Sequence, residues 1–313
     1  MVYGRIIKGK IYMKIGIDLG GSHIGVGIVN DGCKLVLKKE MDLQIEKNSD
    51  QIKKYLEDSI ILLINESLRE VGAPMCVIES IGVAVPGQVE DGIVKKLHNL
   101  KINQIDIKHL LENYYGVEVN IRNDAKCACL AEKKFGALEK YDDAVFMCLG
   151  TGIGGATIYD GKLVEPIKAA GSEFGHMIIK KDGIECNCGN KGCFEKYASM
   201  RTFKENVIKI LNLDENINSK ELLDIVLKES NNNSDLSKYI DEFIDDLLVG
   251  ISNIVNIIEP QAICIGGGFV YYEKVLYTRL MEKITNNKYK FNVPEIVLAK
   301  LGNDAGIIGA CLI

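Results

Sequence analysis

The sequence predicts an α/β protein, and three observations lead to this prediction. Short buried strands alternate with amphipathic helices along the 313 residues. A strand, a glycine-rich turn and a second strand follow one another near residue 20 and again near residue 152. Three cysteines and a histidine lie within residues 169–199, at spacings typical of metal ligands. A chain of this length forms one large domain or two of ordinary size.

The composition argues against several kinds of protein. An apolar share of 47% is ample for a packed core, and a formal net charge of −5 argues against broad nucleic-acid binding, which needs a positive surface. No run reaches the roughly 18 apolar residues of a membrane helix. The ten cysteines occur without a secretory signal, which indicates thiols in a reducing compartment. We therefore expect a cytoplasmic protein without nucleic-acid or membrane partners.

Residues 1–13 are interpreted as an N-terminal extension. The segment MVYGRIIKGKIY is basic, but it lacks the apolar core and the small-residue cleavage site of a signal peptide. Met13 is a plausible alternative start of the chain.

The first glycine turn follows a short buried strand at 14–19, KIGIDL. Residues 20–22, GGS, are expected to form a tight hairpin, because VGIVN continues as a second strand and not as a helix. Backbone amides in such a turn can hold phosphate oxygens, and Asp18 at its mouth can hold Mg²⁺ or a magnesium-bound water. Asp-x-Gly-Gly is also an ordinary turn, Ser22 can simply close it, and His23 is interpreted as local packing.

Two further segments of the first half have defined expectations. Residues 51–71 carry apolar positions at helical spacing and predict an amphipathic helix. The strand 79–89 ends in Pro86-Gly87, where the backbone either approaches a ligand closely or simply turns. Asn99 is a candidate polar contact.

A short helix at 105–115 precedes the strand 117–123, which delivers Asn123 and Asp124 to the start of another helix. An Asn or Asp at that position is an ordinary N-cap. It is also a place where the helix dipole keeps a carboxylate ionised. Asp124 can then accept a proton from a substrate hydroxyl that attacks phosphorus, a reaction that asks little of the base beyond position. Core packing explains the cysteines of this helix.

The second glycine turn lies within 144–161 and repeats the design of the first. A buried strand meets residues 150–155, GTGIGG, and another strand follows. Two such turns that face each other can hold both ends of a polyphosphate. This arrangement differs from dinucleotide-binding folds, in which the glycines lie between a strand and a helix.

The last third of the chain predicts helices, two strands and a third glycine turn. Residues 200–260 are mainly helical in pattern, and the strand 262–269 ends in the glycines 266–268, which suit a nucleotide. A helix at 273–287 and a strand at 295–301 follow. The chain closes with GNDAGIIGACL, a helix whose small residues allow close packing on another element.

Cys186, Cys188 and Cys193, with His176 ten residues before the first of them, make the closed tetrahedral ligand set of a structural Zn²⁺ site. Glycines between the second and third cysteines allow the positive φ that turns both sulfurs toward one ion. A redox pair or ordinary core cysteines are the alternatives, but Cys-x-Cys followed within five residues by a third cysteine is rare by chance. Carboxylates flank this stretch, which suggests a scaffold that fixes polar groups facing a substrate.

Seven motifs occur in order: DLGGSH, VAVPG, IRNDAK, LGTGIGGA, AGSEFGHM, CNCGNKGCFE and CIGGG. The ordered set, with its His-x₉-Cys-x-Cys-x₄-Cys spacing, resembles the ROK family of sugar kinases, and the resemblance covers 14–313. It implies the two-domain, actin-like ATPase (ribonuclease H-like) fold of that family. The implied domains are 14–125, completed by 303–313, and 126–302 with the zinc site.

The resemblance implies an ATP- and Mg²⁺-dependent kinase that phosphorylates a hexose, with glucose converted to glucose 6-phosphate as the first expectation. Asp124 is then the catalytic base, the Zn²⁺ is structural, the two domains close over the substrates, and the protein is a homodimer. The implied nucleotide contacts are Asp18, Gly20, Gly21, Ser22, Gly150, Thr151, Gly152, Gly154, Gly266, Gly267 and Gly268. The implied sugar contacts are Gly87, Asn99, Asn123, Asp124, Glu173, His176 and Glu195.

Departures from the family pattern leave the sugar open. The chain has no tryptophan, so Asn99-Leu100 lacks the one that often follows in glucokinase-like members. Lys126 stands where an asparagine or similar residue is usual after the Asn-Asp pair. N-acetylglucosamine, N-acetylmannosamine, fructose and allose are the alternatives to glucose. From another class, the family contains sugar-responsive repressors with an N-terminal helix-turn-helix. Only about a dozen residues precede the first glycine-turn strand, too few for that module. A non-catalytic sugar-binding relative is the third possibility.

Overall fold

Two units, each with its own sheet and hydrophobic core, make up the described part of the protein. A computed structural model describes residues 5–7, 10–21, 23–30, 32–43, 49–74, 77–90, 92–95, 97, 100, 102–165, 172–286 and 294–313. The first unit holds the described residues of Met1–Gly136, Glu165–Gly171 and Asn303–Ile313, and the second those of Ala137–Val164 and Ser172–Gly302. Two of the predicted site residues, Ser22 and Asn99, lie outside the described residues.

The first unit is built on a six-stranded sheet. Its elements are β1 (Arg5–Ile7), β2 (Lys10–Leu19), β3 (His23–Val29), β4 (Leu35–Asp42), α1 (Ser49–Glu70), β5 (Ile78–Val85), β6 (Val89–Glu90), β7 (Ile93–Val94), α2 (Ile107–Tyr115), β8 (Glu118–Asn123), α3 (Asp124–Phe135) and, from the end of the chain, α9 (Ala305–Ala310). The strand order is β4-β3-β2-β5-β8, with β1 paired to β2 and a separate β6-β7 ribbon. β2, β5 and β8 are mutually parallel neighbours, whereas β3 is antiparallel to both β2 and β4.

One face of this sheet carries large apolar side chains. Ile15 and Ile17 of β2, with Val83 of β5, are buried in a core that α1 and α2 complete. Because side chains alternate between the faces of a strand, the residues between them point the other way. Glycine and alanine occupy the centre of that second face, and the charged residues Asp18, Lys38 and Glu40 lie on the same face.

The second face lets the last helix rest on the backbone of the sheet. Gly16 pairs with Gly27 on one side and with Gly82 on the other, which makes a row without side chains across three strands. A Cβ atom on Gly16 would overlap the carbonyl oxygen of Ile307, and one on Gly82 would overlap that of Ala310. The expectation that the small-residue helix at the end of the chain packs closely on another element is therefore confirmed.

The start of the first unit departs from the sequence expectation. The strand predicted at 14–19 begins at Lys10, and β1 pairs with it from Arg5↔Tyr12 to Ile7↔Lys10. Part of the segment 1–13 interpreted as an extension therefore contributes strands. The expected boundary after residue 125 would cut α3, whereas the structure keeps α3 whole in the first unit.

The second unit contains a five-stranded sheet and the remaining helices. Its elements are β9 (Ala144–Leu149), β10 (Ile153–Tyr159), β11 (Lys162–Leu163), α4 (Glu195–Ala198), α5 (Met200–Ile210), α6 (Ser219–Glu229), α7 (Ser234–Ile258), β12 (Ala262–Gly267), α8 (Thr278–Thr285) and β13 (Glu295–Leu298). The strand order is β11-β10-β9-β12-β13. β9 is antiparallel to β10 and parallel to β12, so the local topology repeats that of β2, β3 and β5.

Two predicted segments of the second unit are divided in the structure. The helical region 200–260 forms α5, α6 and α7, because Asn218 and Asn233 cap new helices with their side chains. The helix expected at 273–287 begins with one π-helical turn, Glu273–Tyr277, before α8. An apolar spacing pattern does not distinguish a π turn from an α turn.

None of the described helices is both long enough and apolar enough to span a membrane.

Candidate active site

The four predicted zinc ligands come together in the second unit. One ligand atom from each of His176, Cys186, Cys188 and Cys193 lies within 4.8 Å of all the others. The Cys188 and Cys193 sulfurs are 3.5 Å apart, and the Cys186 sulfur is 3.7 Å from His176 Nδ1. A tetrahedral Zn²⁺ with bonds of about 2.3 Å to sulfur has ligand–ligand distances of about 3.8 Å. The donor set and its spacing therefore fit zinc.

Local backbone structure forms this cluster. His176 ends a short 3-10 helix, Phe174–His176, and Cys193 is bridged to Ile178 of the segment that follows it. Gly189 and Gly192 have φ values of 93° and 80°, as the sequence predicted for the turn between the second and third cysteines. The geometry requires glycine there, since L residues with side chains rarely adopt these angles.

Glu195 lies between the predicted zinc ligands and the second glycine turn. Its Oε1 is 3.3 Å from the Cys186 sulfur and 3.9 Å from His176 Nδ1. Its Oε2 occupies the space that a Cβ on Gly152 would fill. The other flanking acidic residue, Glu173, has an exposed side chain. Its backbone carbonyl accepts a hydrogen bond from the amide of His176 at 3.0 Å. Glu195 thus contacts both the His/Cys cluster and the turn that was predicted to hold phosphate.

The second and third glycine turns are neighbours. β9 and β12 are parallel, so both turns leave the same edge of the sheet. Gly267 pairs with Leu149 and has a φ of 73°, and a Cβ on it would lie 2.5 Å from the Leu149 carbonyl oxygen. Carboxyl edges of this kind are where α/β proteins bind ligands. The turns themselves are shorter than expected, because Gly154 pairs with Cys148 inside β10 and Gly266 lies inside β12.

The remaining members of these turns are placed at the same edge. Gly150 donates its amide to the Gly152 carbonyl at 2.9 Å and accepts the amide of Arg201 at 3.1 Å. Thr151 is exposed at the tip, and Gly268 begins the 3-10 helix that follows β12.

In the first unit, the predicted residues gather at the carboxyl edge of β2, β5 and β8. Asp124 is the first residue of α3, and its Oδ1 accepts the amide of Ala125 at 2.7 Å. Asn123 accepts the amide of Lys126 at 3.3 Å and donates through Nδ2 to the carbonyl of Gly87 at 3.3 Å. Asn123 is therefore the N-cap of α3, as the sequence predicted. It also connects the end of β8 to the turn after β5 through its hydrogen bond to Gly87.

The first glycine turn is a tight hairpin. Gly20 donates its amide to the His23 carbonyl at 2.9 Å, and the His23 ring covers Gly20, where a Cβ would lie 2.7 Å from ring carbon Cε1. The His23 ring therefore packs on Gly20, as the interpretation of local packing expected, and its side chain is exposed. Gly21 is half-buried at the tip.

Asp18 lies on the sheet face beneath α9. Its Oδ2 is 2.5 Å from the place where a Cβ on Gly306 would be. Burial raises the pKa of Asp18 from 3.8 to about 6, while the charge of Lys38 lowers it and that of Glu40 raises it. Lys38 also contacts Asp304 at 2.9 Å. The sequence analysis identified Asp18 but not its charged neighbours Lys38 and Glu40, nor the Lys38 partner Asp304. Alternation in β4 puts Lys38 and Glu40 on one face, yet only strand register brings that face to Asp18.

The comparisons with known proteins agree with this architecture. The model of the ROK family matches residues 14–313. A glucokinase from Thermotoga maritima is 30% identical, and the match covers 96% of this chain and 96% of that protein. A xylose repressor from Caldicellulosiruptor bescii is 27% identical over 94% of this chain and 76% of the repressor.

A solved structure shares the fold. The ROK family glucokinase from Streptomyces griseus, determined in complex with glucose and AMPPNP, superposes with a TM-score of 0.79 at 23% identity. The match covers 96% of this chain and 98% of that one. Because the family model spans the chain from Lys14 to its last residue and a relative matched over 96% of both chains is 30% identical, the protein belongs to the ROK family.

Proposed function

We propose that the protein is an ATP-dependent sugar kinase that phosphorylates a hexose, with glucose as the first candidate. Family membership and the similarity to the Thermotoga maritima glucokinase support the reaction class. The sugar is inferred only from resemblance, and N-acetylglucosamine, N-acetylmannosamine, fructose and allose are its alternatives.

The observation that carries the proposal is the placement of Asp124. It is an acidic residue at the N-terminus of a twelve-residue helix, at the sheet edge that also carries Asp18 and the first glycine turn. The positive end of the helix dipole favours the ionised carboxylate, and the Ala125 amide at 2.7 Å holds one of its oxygens. A fixed, ionised carboxylate is what phosphoryl transfer needs from a base.

In the proposed reaction, the oxygen of the sugar's primary hydroxyl attacks the γ-phosphorus of ATP. The bond from that phosphorus to the bridging oxygen of the β-phosphate breaks, and ADP leaves with its electron pair. The hydroxyl proton passes to the Asp124 carboxylate. Mg²⁺, when bound near Asp18, supplies positive charge that offsets the charge of the phosphates.

The glycine turns are proposed to hold the nucleotide. The first glycine turn, after β2, and the second, after β9, would donate backbone amides from their tips to phosphate oxygens, as exposed turns of this kind can. The amides of Gly20 and Gly150 close the two turns and are not among these donors. The adjacent glycines Gly266–Gly268 would lie near the adenosine. Support for this comes from the parallel pairing of β9 and β12, which places these last two turns side by side.

The zinc cluster is proposed to have a structural role. Its four protein ligands leave no open coordination position for chemistry, which is typical of structural sites. Zn²⁺ there would hold His176 and Glu195, and through them Glu173, as sugar-binding groups. Gly87, Asn99 and Asn123 complete the proposed sugar contacts.

An ADP-release assay with ATP and Mg²⁺ against glucose, mannose, fructose, allose, N-acetylglucosamine and N-acetylmannosamine tests the proposal. Turnover on glucose alone supports the glucokinase assignment. Turnover on an N-acetyl sugar keeps the reaction and changes the substrate. A folded, zinc-loaded protein that turns over none of these sugars would contradict the proposal.

A sugar-responsive regulator is the second candidate function, because a xylose repressor is among the relatives. Calorimetric binding of a sugar without any ADP release would favour it. A homodimer and a cytoplasmic location stay predictions from the resemblance and from the cysteine content. Sedimentation analysis of the purified protein tests the homodimer.

A further inference from the structure

Strand register places two charged residues of β4 on the same face of the sheet as Asp18. Asp18 pairs with Gly25 of β3, and Gly25 pairs with Glu40 of β4. Lys38, two residues before Glu40, pairs with Gly27 in the next row. Paired residues of neighbouring strands project to the same face. Asp18, Lys38 and Glu40 therefore share the face on which α9 lies.

The intervening strand has no side chains that separate these groups. A Cβ built on Gly25 would lie 3.9 Å from Cβ of Asp18 and 3.8 Å from Cγ of Glu40. Both acidic side chains therefore border the same gap over β3. Ile307 of α9 closes that gap, since its Cδ1 would be 3.2 Å from the same Cβ.

Lys38 connects this strand face to the turn before α9. Its ammonium nitrogen is 2.7 Å from Glu40 Oε1 and 2.9 Å from Asp304 Oδ1. Asp304 immediately precedes α9, and Gly306, two residues later, is the residue against which the Asp18 carboxylate rests. One cation thus fixes the backbone segment that limits where the Asp18 carboxylate can lie.

The charges of this cluster oppose a bound polyphosphate. Asp18, Glu40 and Asp304 contribute three negative charges when ionised, and Lys38 is the positive charge that contacts two of them. Burial alone would lower the pKa of Lys38, but hydrogen bonds to Glu40 and Asp304 raise it, so the ammonium group stays charged at neutral pH. Without Lys38, the carboxylates of Glu40 and Asp304 would lose their counterion.

We propose that Lys38 is a positioning residue for the phosphate end of the nucleotide site. It holds Glu40 and Asp304 together, fixes the turn into α9 against Asp18, and offsets the charge of two carboxylates beside the magnesium–triphosphate. This inference rests on the proposed function, because that function places Mg²⁺ and phosphate at Asp18.

The adjacent Lys39 provides a matched control. It lies on the opposite face of β4 and pairs with Glu70 at 2.9 Å and with Glu66 at 3.8 Å, both in α1. Lys38→Met and Lys39→Met therefore remove the same charge from consecutive residues of one strand. Partly exposed ion pairs such as these contribute little to stability, so both variants are expected to fold.

The test measures binding of Mg·ADP by calorimetry and, in the active enzyme, the KM values for MgATP and for sugar. Lys38→Met is expected to raise the Kd for Mg·ADP and the KM for MgATP by about five- to twentyfold, with the KM for sugar nearly unchanged. Lys38→Arg is expected to retain binding, since a guanidinium also bridges two carboxylates. Lys39→Met is expected to match the wild type.

If Lys38→Met binds Mg·ADP as tightly as the wild type, the proposal is overturned. It is also overturned if Lys39→Met weakens Mg·ADP binding equally, because the loss of one positive charge would then explain the effect without any positioning by Lys38. If Lys38→Met does not fold, Asp304→Asn removes the same contact between Lys38 and Asp304. An unchanged affinity of Asp304→Asn for Mg·ADP would then overturn the proposal. In the Asp304→Asn background, Lys38→Met is expected to add little. Absence of sugar turnover in the wild type would contradict only the proposed function, because Mg·ADP binding is measured without sugar.

Discussion

At the residue scale, Asp124 and Asp18 are two acidic residues in different environments on one sheet edge. Asp124 begins α3, where the helix dipole favours its charge. Asp18 lies under α9, where burial disfavours its charge and raises its pKa to about 6. The Asp124 carboxylate is thus ionised and suited to accept a proton at neutral pH. The ionised form of Asp18 would be stabilised by a nearby cation.

Asp124→Asn is expected to lower kcat by about 10²–10⁴-fold, because it removes the base but keeps the shape of the side chain. The sugar Kd from calorimetry is expected to stay near that of the wild type. Asp106→Asn is the control, since Asp106 is an acidic residue at the N-cap of α2, where it accepts the amide of His109 at 3.0 Å. A kcat of Asp124→Asn close to that of the wild type would refute the assignment of the base.

Asp18→Asn is expected to stabilise the nucleotide-free protein at pH 8. The folded state binds the Asp18 proton more tightly than the unfolded state, whose pKa is near 3.8, so stability falls as pH rises between about 4 and 6. Above that window the ionised carboxylate costs about 1–3 kcal/mol, which asparagine avoids.

Urea denaturation at pH 8 and pH 5 measures this effect for Asp18→Asn. The gain over the wild type is expected to shrink at pH 5, where the folded wild type is mostly protonated at Asp18. Asp42→Asn is the control, because Asp42 is exposed and lies in β4 of the same sheet. It is expected to leave the free energy of unfolding unchanged at both pH 8 and pH 5. A gain of equal size at both pH values would contradict the raised pKa.

At the element scale, α9 depends on the absence of side chains beneath and beside it. Glycines of β2 and β5 meet its backbone on one side, and a Cβ on Gly309 would overlap the Cys127 carbonyl oxygen of α3 on another. The helix is only six residues long, so tertiary packing and not its own propensity must stabilise it.

Gly82→Ala is expected to lower the free energy of unfolding by about 1–3 kcal/mol, because the new methyl group meets the backbone of Ala310 and not a flexible side chain. Urea denaturation is the measurement. Gly32→Ala is the control, since its Cβ would lie 3.5 Å from Asn30 Oδ1, which is ordinary contact. Equal stability of Gly82→Ala and the wild type would show that α9 does not rest on β5.

At the scale of the whole molecule, the described residues form one large hydrophobic core in each unit, and all four predicted zinc ligands belong to the second unit. Proteins of more than one unit often unfold in more than one step. Loss of zinc is therefore expected to lower the temperature at which the second unit unfolds.

Cys188→Ala is expected to reduce bound zinc from one per chain to near zero and to lower the second-unit transition by about 10 °C or more. Cys188 is exposed, so the substitution removes a ligand with little loss of packing. Calorimetry and metal analysis measure the two effects, and Cys33→Ala, in the first unit, is expected to keep zinc. A metal-free Cys188→Ala protein with full stability and activity would refute the structural role of zinc.

Local patterns in the sequence were sufficient for features that depend on neighbouring residues. The glycine turns, the cap at Asn123 and the turns between the predicted zinc-binding cysteines each involve a few consecutive residues, so spacing and φ preferences predict them. The order of these motifs was sufficient to suggest the family.

Contacts between distant segments were decided only by the tertiary structure. Asp18 rests on Gly306, Lys38 contacts Asp304, and Glu195 fills the space beside Gly152, although many residues separate each pair. These contacts depend on strand register and on the return of the last helix to the first sheet. Neither is encoded in a local period, because register and helix docking minimise the free energy of the whole packed unit and not that of any one segment.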